Sequence, residues 1–388
     1  MKTTVGVIFG CSSVEHEVAI ISALQAMQSL DKAKYDIFPI YISKEGDWYW
    51  GDVLNDIENF KDLNRLLFQC VKIVVSANAA DGTVFLYPQG LLNKKPLAVI
   101  DVFLPVMHGA YGEDGCLQGF LEMTGIPYTG PSVLSAAVGM DKVVQKALCK
   151  MGNVPVLDCF WFYGAQWSDA EEDIIAFIER KFSYPVIVKP ANLGSSIGIK
   201  IAENREELID AIEVAAHYSQ KVLVEHAIRN LKEVNIAVLG DADQAEVSEL
   251  EEPVSAEEIL TFGEKYLQPD SKTEGMAGLK RKIPAEIPEE MASRIREIAL
   301  DTFYCMNGQG VWRLDFMIDL DTDQIYLNEV NTIPGSLSFY LWEPKGLSYP
   351  HLLDKLIQIA LRSKQRKKNM ITSFSSNILA QGGFKGKK

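Results

Sequence analysis

The sequence predicts an α/β protein of two or three domains, and three observations carry that reading. Its 388 residues exceed one average domain. Apolar strand-like runs alternate with helix-period stretches from end to end, without internal repeats. The composition, 47% apolar and 23% charged, is ordinary for a soluble globular chain with a substantial core.

The elements follow in order. A strand over Thr4–Phe9, a Gly-Cys-Ser-Ser loop, a helix over Glu17–Leu30 and a strand over Tyr35–Ile42 make a βαβ unit. Such a unit implies a parallel sheet with a right-handed crossover. Residues 46–95 are less regular, with a 46-GDWYWGD-52 turn, a helical stretch near Ile57–Phe68 and a hairpin around Asp81-Gly82. The sheet resumes at 97-LAVIDVFLPV-106, and after 128-YTGPS-132 a helix containing Met140, Asp141 and Lys142 begins. Further on, strands are expected over Val234–Leu239, Gly310–Ile318 and Gln324–Glu329, with helices over Pro288–Asn307 and Tyr349–Ser363. From Arg362 the chain is basic, Gly/Ser-rich and without helical period, and reads as a mobile, solvated tail.

A net charge of −14 argues against nucleic-acid binding over the whole surface. It leaves phosphate binding open, because a few lysines and backbone N–H groups suffice for that. The six cysteines form no C-x-x-C pair and read as reduced cytosolic thiols. No apolar run approaches the length of a membrane span, and the first one reads as a buried strand rather than a leader.

Five stretches carry chemistry. In 189-KPANLGSSIG-198, Lys189 ends a strand and a turn of Gly194, Ser195, Ser196 and Gly198 follows. A point charge plus N–H and hydroxyl donors is what a nucleotide's phosphates require, although a bare Gly-Ser hairpin has the same look. In 311-VWRLDFMIDLDTDQIYLNEVNTIPG-335, Asp315 lies on one strand, and Glu329 and Asn331 lie two apart on the next. Three oxygen ligands there suit Mg²⁺. Arg313, two before Asp315, is placed to stabilise an oxyanion. Glu225 ends the apolar strand 223-LVEH-226, where adenine or ribose is received, or else is a plain surface acid. The loop 108-HGAYGEDG-115 sits at a sheet's C-terminal edge, where ligands bind. In 12-SSVEHEV-18, Glu15 and Glu17 open a helix that Ser13 is expected to cap.

In motif order, residues 3 to 361 resemble the D-alanine–D-alanine ligase family of the ATP-grasp superfamily. HGAYGEDGCLQG and the run from Arg313-Leu-Asp315 to Asn331-Thr-Ile-Pro-Gly335 carry the likeness. It implies a Rossmann-like N-terminal domain over 1–130, a central lid domain over 131–224, a C-terminal metal-binding domain over 225–363 and a basic tail over 364–388. The implied reaction joins two D-alanines with ATP, through an acyl phosphate, for peptidoglycan synthesis in the cytoplasm. The resemblance also implies a homodimer. Lys142, Lys189, Ser196 and Lys265 would contact ATP phosphates, and Glu225 and Glu233 adenine and ribose. Asp315, Glu329 and Asn331 would hold two Mg²⁺ (or Mn²⁺), and Arg313 with the N–H of Gly335 would form the oxyanion site. Glu15 would receive the first substrate's ammonium, with His108 nearby. Ser195 and Tyr266 would join Glu15 in a triad that closes a loop over the site.

The sequence departs from the family pattern at Cys11 (usually Gly), Ala19 (Ser), His226 (often Lys) and 231-LKEV-234 (Gly-x-Glu-Phe). The largest departure is 334-PGSLSFYLWEP-344, where Tyr340 and Leu341 stand at the Ser-Leu pair that meets the second substrate's carboxylate. Either Tyr340 or Ser338 makes that contact here. Retention of Tyr266 in 264-EKYL-267 favours D-alanine over D-lactate as acceptor. The competing readings are the same chemistry with D-serine or another small amino acid, and a non-catalytic nucleotide-binding homologue.

Overall fold

A computed structural model describes residues 2–78, 83–90, 95–194, 196–254 and 281–371. Its strands form three sheets. The first contains β1 (Thr3–Gly10), β2 (Tyr35–Ile42), β3 (Trp48–Trp50), β4 (Val71–Asn78), β5 (Thr83–Pro88), β6 (Ala98–Ile100) and β7 (Val102–Pro105), ordered β6-β5-β4-β3-β2-β1-β7. The expected parallel unit is its β2-β1-β7 end, with α1 (His16–Ser29) as the crossover between β1 and β2. Residues 48–100 extend that unit with antiparallel strands. β1 reads as a continuous apolar run because both its faces are covered. Val5, Val7 and Phe9 pack with α1, whereas Ile8 joins Phe103, Leu117 and Leu121 on the other side.

Two expectations about this region change. The run 97–106 is two strands, because the Asp101 carboxylate accepts the Thr4 N–H at 2.8 Å and interrupts it. The stretch at Ile57–Phe68 is helical only in its second half, as α2 (Leu63–Gln69) preceded by 3₁₀ turns. The tip expected at Asp81-Gly82 lies outside the described residues, but β4 and β5 pair antiparallel on either side of it.

α3 (Cys116–Thr124) covers the sheet, and α4 (Val133–Met140) leads to α5 (Lys142–Met151). The helix expected through Met140–Lys142 breaks at Asp141. That residue is extended, and its carboxylate accepts the N–H groups of Val143 and Val144, so it caps α5 and Lys142 becomes the first residue of the new helix.

The second sheet is antiparallel, ordered β10-β9-β11-β8, from β8 (Cys159–Tyr163), β9 (Val186–Pro190), β10 (Lys200–Ala202) and β11 (Lys221–His226). α6 (Trp167–Lys181) and α7 (Arg205–Tyr218) pack on one face, over Val186, Val188, Val222 and Val224. Strand alternation therefore turns Lys189, Leu223 and Glu225 to the opposite face.

The third sheet is ordered β14-β13-β12-β15-β16: β12 (Leu231–Gly240), β13 (Ala245–Pro253), β14 (Arg281–Lys282), β15 (Gly310–Asp319) and β16 (Gln324–Asn331). α8 (Glu289–Cys305) covers the face carrying Trp312, Leu314 and Phe316, leaving Arg313 and Asp315 on the other. α9 (Tyr349–Lys368) returns to the first sheet through Leu352, Leu353, Leu356 and Ile357. It runs past the expected start of the tail because Arg362 and Arg366 pair with Asp241, and Lys367 pairs with Glu122. Residues 372–388 lie outside the described residues.

Candidate functional site

One cleft lies where the sheets meet, lined by Glu15, Gly109, Glu113, Lys142, Gly194, Glu329 and Asn331 among others. Its floor comes from β15 and β16. Asp315 stands opposite Glu329, and Arg313 opposite Asn331. The pairing has a β-bulge, since Phe316 meets Leu327 and Asn328 is skipped. Without it Leu327 and Glu329 would share a face. With it, Leu327 stays in the core against α8 while Glu329 and Asn331 face the cleft. The bulged Asn328 reaches across to the second sheet, where its Oδ1 accepts from Lys189 Nζ at 3.0 Å.

Arg313 grips Asp315 with both ends of its guanidinium, at 2.6 and 2.7 Å, and Asn331 Nδ2 donates to Asp315 at 3.0 Å. Burial works against the Arg313 charge, but Asp315 beside it raises the arginine well above its ordinary value. Among the described residues no group of three or more His, Cys, Asp or Glu could enclose a metal ion. The two carboxylates and one amide at Asp315, Glu329 and Asn331 fit a hard cation that draws its remaining oxygens from phosphate and water, as Mg²⁺ does.

Lysines form the wall. Lys142 Nζ lies 3.5 Å from Glu329 and donates to the Leu193 carbonyl at 2.7 Å, tying α5 to the glycine turn. Glu225 is fully buried between Lys146 at 2.5 Å and Lys189 at 2.8 Å. Burial pushes its carboxyl up, yet the two ammonium groups outweigh that and hold it down to about 2. The cluster keeps one excess positive charge facing the cleft side of the second sheet, which favours an anionic ligand. Lys146 was not foreseen, although it lies one helical turn after Lys142. Glu233 is half-buried on β12 opposite Met317.

The turn after β9 reaches the first sheet. A Cβ on Gly194 would stand 3.3 Å from a Glu15 carboxylate oxygen, so the turn rests against Glu15. Gly109 approaches from the other side, where a Cβ would come within 2.9 Å of Glu15 and 2.5 Å of Ser13 Oγ. Its φ of +73° likewise favours glycine. Ser196 is left-handed at φ 58°. Ser195, Lys265 and Tyr266 lie outside the described residues. Ser13 does not cap α1: the N-cap position is Glu15, without a side-chain capping bond, and Ser13 Oγ accepts the Glu15 N–H in the turn ahead of the helix.

Behind Glu15, His108 Nδ1 meets the Ile333 carbonyl at 2.8 Å and Nε2 meets Ser22 Oγ at 3.0 Å. Burial lowers this histidine to about 4, so it is neutral. The carbonyl can only accept, which puts the proton on Nδ1 and makes Nε2 the acceptor of the Ser22 hydroxyl. Ser22 Oγ in turn accepts the Ser336 N–H at 2.9 Å. Ser336, Leu337 and Ser338 are all left-handed, at φ near +50°. Such a run costs roughly 1–2 kcal/mol per non-glycine residue and has to be held by its surroundings. It follows Gly335, which is buried. Glu113, also unforeseen although it lies in HGAYGEDG, accepts from the N–H groups of Gly109 at 3.0 Å and Ile333 at 2.8 Å. Burial and the nearby Glu15 charge push it up to about 8.

The two residues expected at the second-substrate pair are both buried. Leu341 is fully buried in the core with Trp342, Tyr349 and Leu352. Tyr340 is buried, and its hydroxyl donates to Glu251 at 3.4 Å. Ser338 is also fully buried.

Residues 4–131 match the family described as D-ala D-ala ligase N-terminus, and residues 148–358 match D-ala D-ala ligase C-terminus. The D-alanine–D-alanine ligase of Thermosipho melanesiensis is 40% identical over 375 residues, covering 97% of this chain and 98% of that one. That of Clostridium acetobutylicum is 39% identical, with 93% and 98% covered. Among solved structures, the D-alanine-D-alanine ligase from Coxiella burnetii has a TM-score of 0.78 at 28% identity, covering 95% of this chain and 97% of that one. The VanG D-Ala:D-Ser ligase from Enterococcus faecalis has a TM-score of 0.76 at 32% identity, covering 93% and 100%.

Proposed function

The chain belongs to the D-alanine–D-alanine ligase family, and from that premise we propose how its own residues carry out ATP-dependent ligation of two D-alanines. The carboxylate of the first D-alanine attacks the γ-phosphorus of ATP, giving D-alanyl phosphate and ADP. The amine of the second attacks the acyl carbon, and the tetrahedral intermediate expels phosphate to leave D-alanyl-D-alanine for peptidoglycan synthesis. The observation that carries this reading is one cleft lined at once by Glu15, Lys142, Glu329 and Asn331.

Glu15 holds the first ammonium, and neutral His108 fixes the wall behind it. Lys142, Lys189, Ser196 and Lys265 hold the phosphates. Glu233 meets the ribose, while Glu225, clamped by two lysines, keeps Lys189 in place and borders the adenine. Asp315, Glu329 and Asn331 would hold two Mg²⁺ or Mn²⁺, which would supply positive charge to neutralise phosphate oxygens. Arg313 and the Gly335 N–H face the oxyanion of the tetrahedral intermediate. The glycine turn, with Ser195 and Tyr266, closes over the acyl phosphate and excludes water. The division at residues 130, 224 and 363 stays part of the same reading, as do a homodimer and a cytoplasmic location. No helix among the described residues is long and apolar enough to cross a membrane.

ADP release with D-alanine, D-serine and D-lactate, each alone and paired, tests the reading. Turnover with D-alanine alone is expected. Turnover only with the D-alanine and D-serine pair would favour the second reading, which the likeness to the D-Ala:D-Ser ligase supports. No ADP release with any of them would overturn both.

A further inference from the structure

Four side chains stand in one row across the third sheet. Glu251 on β13 pairs with Asn235 on β12, Asn235 with Asp315 on β15, and Asp315 with Glu329 on β16. Cross-strand partners share a face. One end of the row carries the proposed metal ligands. The other end carries a second buried polar cluster that the mechanism above does not use.

That cluster centres on Arg281 of β14. Its side chain is 9% exposed, and its Nη1 lies 2.9 Å from Glu251 Oε1. The guanidinium stacks over the Tyr340 ring, 3.9 Å from the centroid. Asn235 Nδ2 and the Tyr340 hydroxyl both donate to Glu251 Oε2, at 3.3 and 3.4 Å. Tyr340 and Glu251 both lie within electrostatic reach of Arg313, so the cluster adjoins the proposed oxyanion site. Burying an arginine is costly unless it is paired and oriented, and here a carboxylate and an aromatic face do both.

We propose that Arg281 anchors the α-carboxylate of the acceptor amino acid, with Tyr340 as its stacking platform and Glu251 as the residue that orients it. This deepens, and rests on, the ligase reading above. A planar fork with five N–H donors matches a carboxylate and can present one edge to Glu251 and another to a substrate. With the phenol committed to Glu251, the guanidinium takes the role expected of Tyr340 or Ser338. Its place on β14, far from the Pro-Gly run in sequence, is why the run alone did not reveal it.

The test gives the full-length protein ATP, a low concentration of D-alanine as donor, and D-alanine or D-alaninamide as competing acceptors. The ratio of D-alanyl-D-alanine to its amide is read by mass spectrometry. The ratio does not depend on how much enzyme is folded. The wild type is expected to prefer D-alanine. Arg281→Met should raise the acceptor KM for D-alanine by about 10- to 100-fold, as expected for a lost charge-assisted contact. It should leave the amide route within about two-fold, so the preference collapses. Arg281→Lys, which keeps the charge but not the fork, should fall between. An unchanged product ratio in both variants, or equal losses on both acceptors, overturns the anchor. A wild type that makes neither product overturns the underlying ligase reading instead.

Discussion

Ser336 follows Ser22 by 314 positions, yet its backbone N–H donates to the Ser22 hydroxyl oxygen at 2.9 Å. The same hydroxyl donates to His108 Nε2 at 3.0 Å. One side chain on α1 therefore ties the loop after β7 to the left-handed run that follows Gly335. Ser22→Ala strips a partner from two buried groups and should cost about 1–3 kcal/mol. It should also lower kcat more than it raises the KM for ATP, because it loosens the Gly335 segment and leaves the lysine wall intact. Chemical denaturation and steady-state ADP release check both effects. A variant with wild-type stability and kcat would mean that Ser22 holds nothing in place.

Asp315→Ala and Glu329→Ala should both abolish ADP release, and they should differ in stability. Asp315 pairs bidentately with a nearly buried Arg313. Its loss leaves that guanidinium unpaired, at a cost of about 3–5 kcal/mol. Glu329 lies 3.5 Å from Lys142 in a more open position, and its loss should be milder. Equal melting temperatures for the two variants would contradict the special role of the Arg313–Asp315 pair.

Glu225→Gln should be among the most destabilising substitutions in the second sheet, by about 3–5 kcal/mol, because two buried ammonium groups lose their shared counter-charge. The pH dependence has a definite sign. Glu225 is held down to about 2, so its contribution is present above the ordinary carboxylate value of about 4.3 and is lost as pH falls through about 2. The stability gap between wild type and variant should close over that window, as followed by thermal melts. A constant gap would rule out the charge as its source.

Glu113 behaves in the opposite way. Its carboxyl is pushed up to about 8, so stability is fullest below about 4.3 and is lost as pH rises through about 8. Glu113→Gln should flatten the decline in stability between those limits, whatever its constant offset. An identical slope in both proteins would place the ionisation elsewhere.

Much of this was legible in the sequence because the elements follow local rules. β1, β2, β12, β15 and β16 are apolar runs of ordinary strand length, and each strand is found within three residues of its expected ends. The grouping of Asp315, Glu329 and Asn331 on one face was readable because two carboxylates on otherwise apolar strands need a reason. What escaped was set by tertiary contact. The bulge at Asn328 that turns Glu329 into the cleft has no sequence signature. Lys146 looks like any helical lysine until Glu225 is packed against it. Tyr340 aligned by spacing with a substrate contact, but Arg281 and Glu251, distant in sequence, hold its ring and hydroxyl. α9 outran its apolar periodicity because Arg366 and Lys367 found acidic partners on other elements.

The most direct test of the central claim follows oxygen. D-Alanine labelled with ¹⁸O in both carboxylate positions is turned over with unlabelled ATP, and the released phosphate is analysed by mass spectrometry. If the carboxylate attacks the γ-phosphorus and phosphate later leaves the acyl carbon, each phosphate carries one ¹⁸O from D-alanine and the new peptide carbonyl keeps the other. Phosphate without ¹⁸O, formed in step with dipeptide, would contradict the acyl-phosphate route.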